Sequence, residues 1–383
     1  MRILWLFYKT DLPECELILR LHAQGVRQTV VADPVCAHLA RYRAAGIPAV
    51  AMVIRSAFDW QRVREIRRLL QDERHDVLYA SNSRQLACGL WAVYGLQVGV
   101  VAYRGTCSLN RLDPMAWLSY LNPRVNRIVC LSDGVRRSLL ARGLAPGRLV
   151  TVYKGHDPAW YAGLAAPELG LFGIPPSAFV VGCAASMRPL KGVDVLIRAL
   201  ARLPAGHNVH LLLIGEVRDR RVAQLARSAA CRERVHLTGY RSDAPALLGR
   251  CHVAVMPSRS REGLGKAVIE AMAQAVPAIV TRVGGLPEVV EDGVCGRVVP
   301  PDDPGALAAA ILEMAGDPGL RREFGRNARR RIEQRFHIDD TQQRMMAVLG
   351  EAAGGVAPGP VERAVAFCVH RLLLRTPRTA PPA

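Results

Sequence analysis

Residues 257–273 read PSRSREGLGKAVIEAMA, and this stretch gives the clearest indication of the fold class. It follows the short apolar run 253–256 and passes through a polar loop containing Gly263 and Gly265 into a helical pattern over 266–273. A strand, a glycine-containing loop and a helix, in that order, present backbone N–H groups and the positive end of the helix to an anion. The stretch therefore predicts a parallel α/β sheet with an anion-binding edge.

Two carboxylates stand out in this stretch, Glu262 in the loop and Glu270 in the helix. They are eight positions apart, which at a helical rise of about 1.5 Å per residue is on the order of 12 Å. That is about the distance from the ribose of a nucleotide sugar to its hexose, and each carboxylate can accept hydrogen bonds from a pair of hydroxyls. Taken alone, the same pattern also fits a glutamate near a helix N-terminus followed by an ordinary helical glutamate.

Two further loops carry related signals. Upstream, GCAASMRPLKG (182–192) places Arg188 and Lys191 between a strand and a helix, where two cations can clamp a diphosphate. Downstream, TRVGGLPE (281–288) is another loop that opens a helix, with Pro287 near its first turn. A solvated surface loop explains the cations equally well when they are taken alone. Three such loops at one sheet edge favour an anion site.

On both sides of this stretch, short apolar runs alternate with helical patterns along nearly the whole chain, which is typical of doubly wound parallel sheets. The chain has 383 residues, enough for two domains. Residues 154–178 interrupt the alternation with prolines and small residues and indicate a boundary. A last long helix is expected from Pro304. Strands are predicted at 3–7, 29–32, 50–54, 77–79, 98–103, 127–131 and 149–153, then at 179–184, 209–214, 235–237, 253–256 and 278–281.

The composition favours an anionic partner but not nucleic acid. The net charge is +18, and of the 51 basic residues only four are lysines, Lys9, Lys154, Lys191 and Lys266. Aromatic residues make up 5% of the chain and no recognition motif accompanies the arginines, which argues against nucleic-acid binding. The absence of a Walker motif and of GxGxxG argues against ATPase and ordinary dehydrogenase functions.

The ten cysteines are scattered without CxxC pairs or Cys/His clusters, so we expect reduced core residues and no metal site. The apolar run in the first residues, MRILWLFYKTD, is too short for a signal peptide, and its pattern predicts a strand. No run of 18 apolar residues occurs. These features predict a cytoplasmic protein.

The segments RPLKGVDVLIRAL, RVHLTGYRSDAPALLGRCHVAVMPS, PSRSREGLGKAVIEAMA and VPAIVTRVGGLPEVVEDGVCGRVVPPDDPGALAAAI together resemble retaining glycosyltransferases of the GT-B fold, family 4 type. The resemblance covers residues 179 to about 345 and includes the E-x7-E pair Glu262 and Glu270. It implies two Rossmann-like, doubly wound domains facing a central cleft. The implied organisation is an acceptor-side domain (1–165), a linker (166–178), a nucleotide-sugar donor domain (179–352) and a basic tail (353–383).

The resemblance also assigns roles. Glu262 would bind the hydroxyls of the donor sugar, Glu270 the ribose, and Arg188 and Lys191 would neutralise the leaving diphosphate. The reaction would be a metal-independent, retaining hexosyl transfer from a UDP- or GDP-linked sugar, with no cofactor and no assigned protein nucleophile. Further donor contacts are expected from Gly263, Leu264, Gly265 and Lys266 and, for the base, from Gly239, Tyr240 and Arg241.

The first half departs from the family. The first strand-to-helix loop, Tyr8–Pro13, lacks the usual Gly-Gly, and Lys9 is a candidate for phosphate or acceptor contact. Where relatives often show His-Asp, this chain has Arg104 within YRGT. His156 and Asp157 follow Lys154 at the end of a first-domain strand, where they either touch the acceptor or cap a turn. All five side chains are therefore candidate cleft residues.

Residues 321–335 contain seven arginines, and 361–375 predicts a basic amphipathic face. Such a face either lies on an anionic membrane or packs back across the domains. Membrane adsorption would suit a glycan or lipid-linked acceptor in lipopolysaccharide or other envelope polysaccharide synthesis, at the cytoplasmic face of the inner membrane. The alternatives are a sugar-nucleotide epimerase and a catalytically silent nucleotide-sugar binder.

Overall fold

The computed structural model describes residues 1–204, 206–228 and 231–354. The basic face predicted at 361–375 and most of the predicted tail 353–383 lie outside these ranges. Within them, no helix combines the length and apolar character needed to cross a bilayer.

The first domain contains a sheet of seven parallel strands in the order β3-β2-β1-β4-β5-β6-β7. Its central strands are almost wholly buried and carry aliphatic side chains, as expected for a sheet covered by helices on both faces. The strands are β1 (Arg2–Phe7), β2 (Arg27–Ala32), β3 (Ala49–Ala51), β4 (Val77–Ala80), β5 (Gly99–Arg104), β6 (Arg127–Cys130) and β7 (Leu149–Thr151).

Six helices connect these strands, and polar side chains mark where most of them begin. Asp11, Asp59, Asn82 and Ser132 accept hydrogen bonds from the exposed backbone N–H groups of the first turns of α1, α3, α4 and α6. The helices are α1 (Leu12–Ala23), α2 (Leu39–Ala44), α3 (Trp60–Asp72), α4 (Ser83–Val93), α5 (Pro114–Trp117) and α6 (Asp133–Leu140).

The second domain contains six parallel strands in the order β10-β9-β8-β11-β12-β13. The predicted fold, two doubly wound α/β domains in tandem, is confirmed. The strands are β8 (Phe179–Ala184), β9 (Val209–Ile214), β10 (Val235–Gly239), β11 (Val253–Met256), β12 (Ala278–Thr281) and β13 (Gly296–Val299); the helices that follow β8 to β12 are α7 (Val193–Ala201), α8 (Arg220–Ala226), α9 (Ala244–Gly249), α10 (Lys266–Ala273) and α11 (Leu286–Val289).

The sequence analysis missed the edge strand β13. Its sequence, GRVV, contains a glycine at φ +158° and an arginine, so it lacks an apolar run long enough to predict a strand. The strand exists because Gly296–Val299 pairs in parallel with Ala278–Thr281 along the full length of β12. Its formation depends on this partner rather than on local pattern.

The prediction of one long helix from Pro304 is wrong, because three helices follow: α12 (Pro304–Gly316), α13 (Pro318–Arg335) and α14 (Ile338–Ala353). Asp317 ends α12 and caps α13 because the residue before Pro318 is pushed out of the helical region, to ψ 92°. The second break occurs where Phe336 is buried in the second-domain core and His337 becomes extended at ψ 148°.

Helix α14 returns to the first domain. Its residues Ile338, Met345 and Leu349 are buried in the core beneath the first sheet, beside Trp5 and Val101. The sequence placed this helix with the second domain, since nothing local distinguishes it from α12 and α13. The chain therefore crosses between the domains twice.

The two crossings lie side by side. The His156 N–H donates to the Phe336 carbonyl at 2.8 Å, and the Gly155 N–H donates to the Thr341 hydroxyl at 2.8 Å. That hydroxyl donates in turn to the Tyr153 carbonyl at 2.8 Å. These bonds fix the second crossing against the first and set how the two sheet edges face each other.

The nine cysteines in the described residues are all unpaired, and all but Cys107 are buried. This agrees with the expected reduced core residues; Cys368 lies outside the described ranges.

Candidate active site

The Glu262 carboxylate lies at the carboxyl edge of the second sheet. Its Oε2 accepts hydrogen bonds from Lys191 Nζ and from Ser258 Oγ, both at 2.7 Å. Lys191 comes from the loop after β8 and Ser258 from the loop after β11, so two neighbouring loops converge on one oxygen. The loops that carry Lys191 and Glu262 therefore meet, as the sequence predicts, and Glu262 is buried where they meet.

A second, fully buried carboxylate ties these two loops together. Asp194, in the first turn of α7, accepts hydrogen bonds from Arg259 Nη1 and Nη2 at 2.5 and 2.7 Å. Arg259 Nη1 also donates to the Pro189 carbonyl at 2.8 Å. Arg259 thus holds the loop that carries Lys191 against the loop that carries Glu262.

The third predicted loop supports the backbone of the Glu262 loop. Thr281 Oγ1 donates to the Ser258 carbonyl at 2.6 Å. Gly284, at φ +58°, lies so close that a Cβ there would be 1.8 Å from the Glu262 carbonyl oxygen. Only glycine allows this approach without displacing the Glu262 backbone.

We expect Gly284→Ala to destabilise the protein by roughly 2–5 kcal/mol, because left-handed backbone and a backbone clash both oppose the methyl group. The loss would appear as a lower thermal midpoint. Gly293→Ala is the matched control, since Gly293 has φ +73° but its Cβ would meet only the end of the Arg297 side chain, at 3.1 Å. Equal effects of the two substitutions would contradict the role of the close approach.

Helices α7 and α10 start at this edge without a side-chain cap, as the shorter helices α9 and α11 also do. Helix α7 starts after Gly192 (φ +64°) and α10 after Gly265 (φ +77°), and neither N-terminus receives a side-chain hydrogen bond. The N–H groups at the starts of α7 and α10 therefore lack the side-chain acceptor that α1, α3, α4 and α6 have, and an anion can take that place. Arg188, beside the α7 end, is exposed.

Glu270 is buried in α10 and forms an ion pair with Lys266 at 3.1 Å. Burial raises the pKa of the Glu270 carboxyl, although Lys266 opposes the shift. The helix begins only at Lys266. The helical rise used above therefore cannot be applied across the loop from Glu262, and the estimated spacing of the two carboxylates does not hold.

The residues predicted to contact the base lie at the end of the edge strand β10. The Gly239 carbonyl (φ +70°) accepts from the Gly215 N–H at 2.8 Å, which joins this loop to the end of β9. Tyr240 is largely exposed, and Arg241 forms an ion pair with Asp243 at 2.6 Å. Leu264, also predicted to contact the donor, is instead packed in the second-domain core, because its apolar side chain turns away from the polar loop.

The first domain contacts the Glu262 loop directly. The Cys107 thiol donates to the Glu262 carbonyl at 3.3 Å, and Ser132 Oγ donates to the Gly263 carbonyl at 2.7 Å. Glu288, from the third loop, accepts from the N–H groups of Asp133 and Gly134 at 2.9 and 2.6 Å. A second-domain carboxylate therefore sits at the N-terminus of the first-domain helix α6, which stabilises the facing arrangement.

Lys154 forms ion pairs with two carboxylates, Asp11 of the first loop and Glu14 in the first turn of α1. Its Nζ lies 3.1 Å from Asp11 Oδ2 and 2.9 Å from Glu14 Oε1, and 5.1 Å from the centre of the Tyr103 ring. Although burial opposes it, this surrounding charge holds the pKa of Lys154 well above its usual range. Burial alone would raise the pKa of Asp11, but Lys154 and Lys266 lower it to about 2. Lys154, Lys266, Asp11 and Glu14 form a charged cluster between the domains.

The other candidate cleft residues differ in placement. His156 is buried, and burial lowers its pKa to about 3, so the ring is neutral. Asp157 caps the turn after it, accepting from the Ala159 N–H at 2.9 Å, the second of the two uses predicted for it. Lys9 is exposed. Arg104 lies over the Tyr120 ring, 4.7 Å from its centre.

Sequence reasoning missed Ser258, Asp194, Arg259 and Glu288. Asp194 is 65 positions from Arg259, and Glu288 is 155 positions from Asp133, so no local spacing indicates either pair. Ser258 and Arg259 lie inside the quoted motif. Ser258 bonds to Glu262 within the loop after β11, whereas the bonds of Arg259 to Asp194 arise only when the loops after β8 and β11 meet.

Two family models match the chain side by side. The model described as glycosyltransferase family 4 matches residues 15–160, and the one described as glycosyl transferases group 1 matches residues 172–331. The chain belongs to the family-4 glycosyltransferases. The resemblance read from the E-x7-E stretch is therefore confirmed, and the two matches meet near the first crossing between the domains of this glycosyltransferase.

Similar proteins include an MMP α-(1→4)-mannosyltransferase of Mycolicibacterium hassiacum, 34% identical over 46% of this chain and 44% of that protein. A lipopolysaccharide core mannosyltransferase, LpcC of Rhizobium leguminosarum, is 25% identical over 77% of this chain and 84% of its own. The chain thus spans about half the length of the first relative and most of the second.

Among solved structures, HepE of Anabaena in complex with UDP superposes with a TM-score of 0.77 over 92% of this chain and 100% of its own. At 22% identity, this similarity shows the GT-B fold.

Proposed function

We propose that this protein transfers a sugar from a nucleotide sugar to a glycan or lipid-linked acceptor, with retention of anomeric configuration. The observation that carries the proposal is the convergence of Lys191, Ser258 and Glu262 beside two uncapped helix N-termini at the sheet edge that faces the other domain. Carboxylates suit sugar hydroxyls, and cations with helix N-termini suit a diphosphate. A nucleotide sugar presents both groups.

The comparisons support the donor class. HepE of Anabaena, which shares the fold, has been solved with UDP and with UDP-glucose. Two relatives are named as mannosyltransferases. We therefore expect a UDP- or GDP-linked hexose, with the base near Gly239–Arg241 and the ribose at Glu270.

In the proposed reaction, the bond between the anomeric carbon and the diphosphate oxygen breaks, and an acceptor hydroxyl oxygen forms the new bond on the same face of the sugar. The proton of that hydroxyl passes to the departing diphosphate oxygen. Negative charge grows on the departing oxygen, where Lys191, Arg188 and the N-terminus of α7 stabilise it. Glu262, freed from Lys191 when the diphosphate binds, holds sugar hydroxyls. We assign no protein nucleophile and no metal to this step; among the described residues, no three His, Cys, Asp or Glu side chains are grouped to hold one.

The acceptor belongs on the first domain, which faces Glu262 through Cys107 and Ser132. The lipopolysaccharide core relative favours a role in envelope polysaccharide synthesis, on the cytoplasmic side of the inner membrane. Part of the basic charge of α13 serves the fold, however. Arg331 Nη2 donates to the Glu288 carbonyl at 2.9 Å and Arg321 Nη1 to the Met314 carbonyl at 2.7 Å. Membrane adsorption would therefore depend on the remaining arginines.

Thermal shifts with UDP, GDP, ADP and CMP sugars test the donor site, because a ligand that binds only the folded state stabilises it. We expect one nucleotide class to raise the thermal midpoint of the wild type and to lose this effect in Lys191→Ala. Arg322→Ala, which removes an exposed charge on α13, is the matched control and should keep the shift.

The two alternatives predict different results. A sugar-nucleotide epimerase would convert its nucleotide sugar with no acceptor present. A silent binder would show the shift but no turnover with any acceptor. The absence of a shift with every nucleotide sugar would contradict the proposed donor site.

A further inference from the structure

A cavity of about 390 Å³ opens in the first domain next to the Glu262 loop. It lies at the carboxyl end of β5 and is lined by Arg104, Tyr120 and Arg142 from the first domain and by Arg261 from the second. Cys107, which donates to the Glu262 carbonyl, also lines it. A molecule in this cavity would therefore lie beside the sugar held by Glu262.

Among the residues that the structure describes, no carboxylate forms an ion pair with the three arginines of this cavity. Lys154, Lys191 and Lys266, elsewhere in the cleft, each form an ion pair with Asp or Glu. No such pair involves Arg104, Arg142 or Arg261 within residues 1–204, 206–228 and 231–354, and one carboxylate, Asp113, shares the lining. The cavity is therefore a concentrated positive site with an excess of two charges.

Arg104 shows the strongest unmet bonding capacity. Its guanidinium lies over the Tyr120 ring, and its Nε is buried without a hydrogen-bond partner. A buried donor that is left unpaired is costly, and a ligand oxyanion would satisfy it by drawing the guanidinium around in its own plane until Nε faces the cavity. The ring contact holds the guanidinium plane in place, so less freedom is lost when it binds a planar or tetrahedral oxyanion.

Arg261 adds a second, independent observation. It is held at φ +58°, a conformation that an arginine rarely adopts, directly before Glu262. This backbone turns an exposed cation toward the cavity while the next residue turns into the donor loop. Strained backbone of this kind is found where surrounding structure fixes a functional side chain.

We propose that this cavity binds the acceptor through an oxyanion, a phosphate or a carboxylate, held by Arg104 with Arg142 and Arg261. The inference rests on the proposed function and names its acceptor class. Arg142 contributes mainly charge, because its Nε and Nη1 already donate to the Leu109 and Ser138 carbonyls at 2.9 and 2.6 Å. The acceptor hydroxyl would then lie on the Glu262 side of the anion.

The test measures binding, so that it does not depend on turnover. Calorimetry of the full chain would compare hexose 6-phosphates and hexuronates with the matching neutral hexoses, and soluble phosphates with phosphatidylcholine vesicles containing phosphatidic acid. We expect an anionic probe to bind at least about ten-fold more tightly than its neutral match. Binding to the vesicles without binding to sugar phosphates would assign the phosphate to a lipid. Binding to sugar phosphates without binding to the vesicles would assign it to a soluble acceptor. Either result supports the site if binding requires Arg104.

Arg104→Gln should remove this preference, whereas Arg55→Gln, which removes an exposed charge outside the cavity, should keep it. Equal binding of charged and neutral probes, an unchanged preference in Arg104→Gln, or equal losses in both variants would overturn the inference. Nucleotide-sugar binding, measured in the same samples, separates the two proposals. If it persists without any anion preference, only the acceptor inference fails; if the anion binds but no nucleotide sugar does, the proposed function fails.

Discussion

Glu262→Gln is expected to lower the rate of sugar transfer by about 10²–10³-fold, the effect typical of removing one preorganised electrostatic contact to a transition state. The amide keeps the shape of the side chain and can still accept from Ser258, but it loses the charge that opposes Lys191 and holds the donor sugar. Steady-state turnover with the donor found by thermal shift would measure the loss.

The matched control is Glu323→Gln on α13, where the side chain is exposed and far along the chain from the three loops. It should retain full activity and the thermal midpoint of the wild type. The thermal midpoint of Glu262→Gln, which leaves the largely buried Lys191 without its carboxylate, is measured as well, so that turnover is compared below the unfolding range of both variants. If Glu262→Gln retained more than about a tenth of the activity, the assignment of Glu262 to the donor sugar would be wrong.

Asp194→Asn is expected to cost about 3–5 kcal/mol of stability, since it leaves Arg259 without the buried carboxylate that accepts two of its hydrogen bonds. The loops carrying Lys191 and Glu262 would lose their common anchor, so donor binding should weaken as well. Thermal or chemical denaturation measures the first effect and the nucleotide-sugar thermal shift the second.

The stabilisation by Asp194 should depend on pH with a defined sign. Burial would raise the pKa of its carboxyl, but the hydrogen bonds and charge of Arg259 outweigh burial and lower the pKa below 3.8. A lowered pKa stabilises the folded state above the ordinary carboxyl value, and this contribution disappears as pH falls through the lowered value. The difference between wild type and Asp194→Asn should therefore shrink in acid.

Asp302→Asn provides the control, because Asp302 pairs with the same Arg259 but is exposed. An exposed ion pair contributes about 0–1 kcal/mol, so this substitution should have little effect. Similar losses from both substitutions would show that burial of Asp194 is not what anchors the two loops.

The sequence predicts some elements of the fold correctly and misses others. The strands at 179–184, 209–214, 253–256 and 278–281 and the helix at 266–273 were predicted with the bounds that the structure has. Each is a mostly apolar run or a periodic helix, and all but the first border a glycine or a proline. The breaks at Asp317 and Phe336 were not predicted. One depends on the conformation before Pro318, and the other on burial of an aromatic residue against distant strands.

Some features of the candidate site could likewise be predicted from the sequence, and others could not. The sequence placed Lys191 and Glu262 on neighbouring loops, because the ends of parallel strands share one edge. It could not show that Ser258 shares the Glu262 oxygen, that Glu288 sits at the N-terminus of α6, or that Lys154 is enclosed by Asp11 and Glu14. The bond between Ser258 and Glu262 lies within one loop, but it depends on how that loop folds back on itself. The other contacts join residues of different loops or domains, whose separation along the chain carries no signal.

Two doubly wound domains, the family and the loops that carry the proposed donor site could thus be predicted from the sequence, because strand and helix periodicity and glycine spacing are local properties. Only the tertiary structure decided that α14 returns to the first domain and that Arg259 joins two loops through Asp194. It also decided that one cavity beside the Glu262 loop is surrounded by three arginines that have no carboxylate partner in the part of the chain that the structure describes. These features depend on which distant surfaces meet, and burial and charge pairing are set only when the chain has folded.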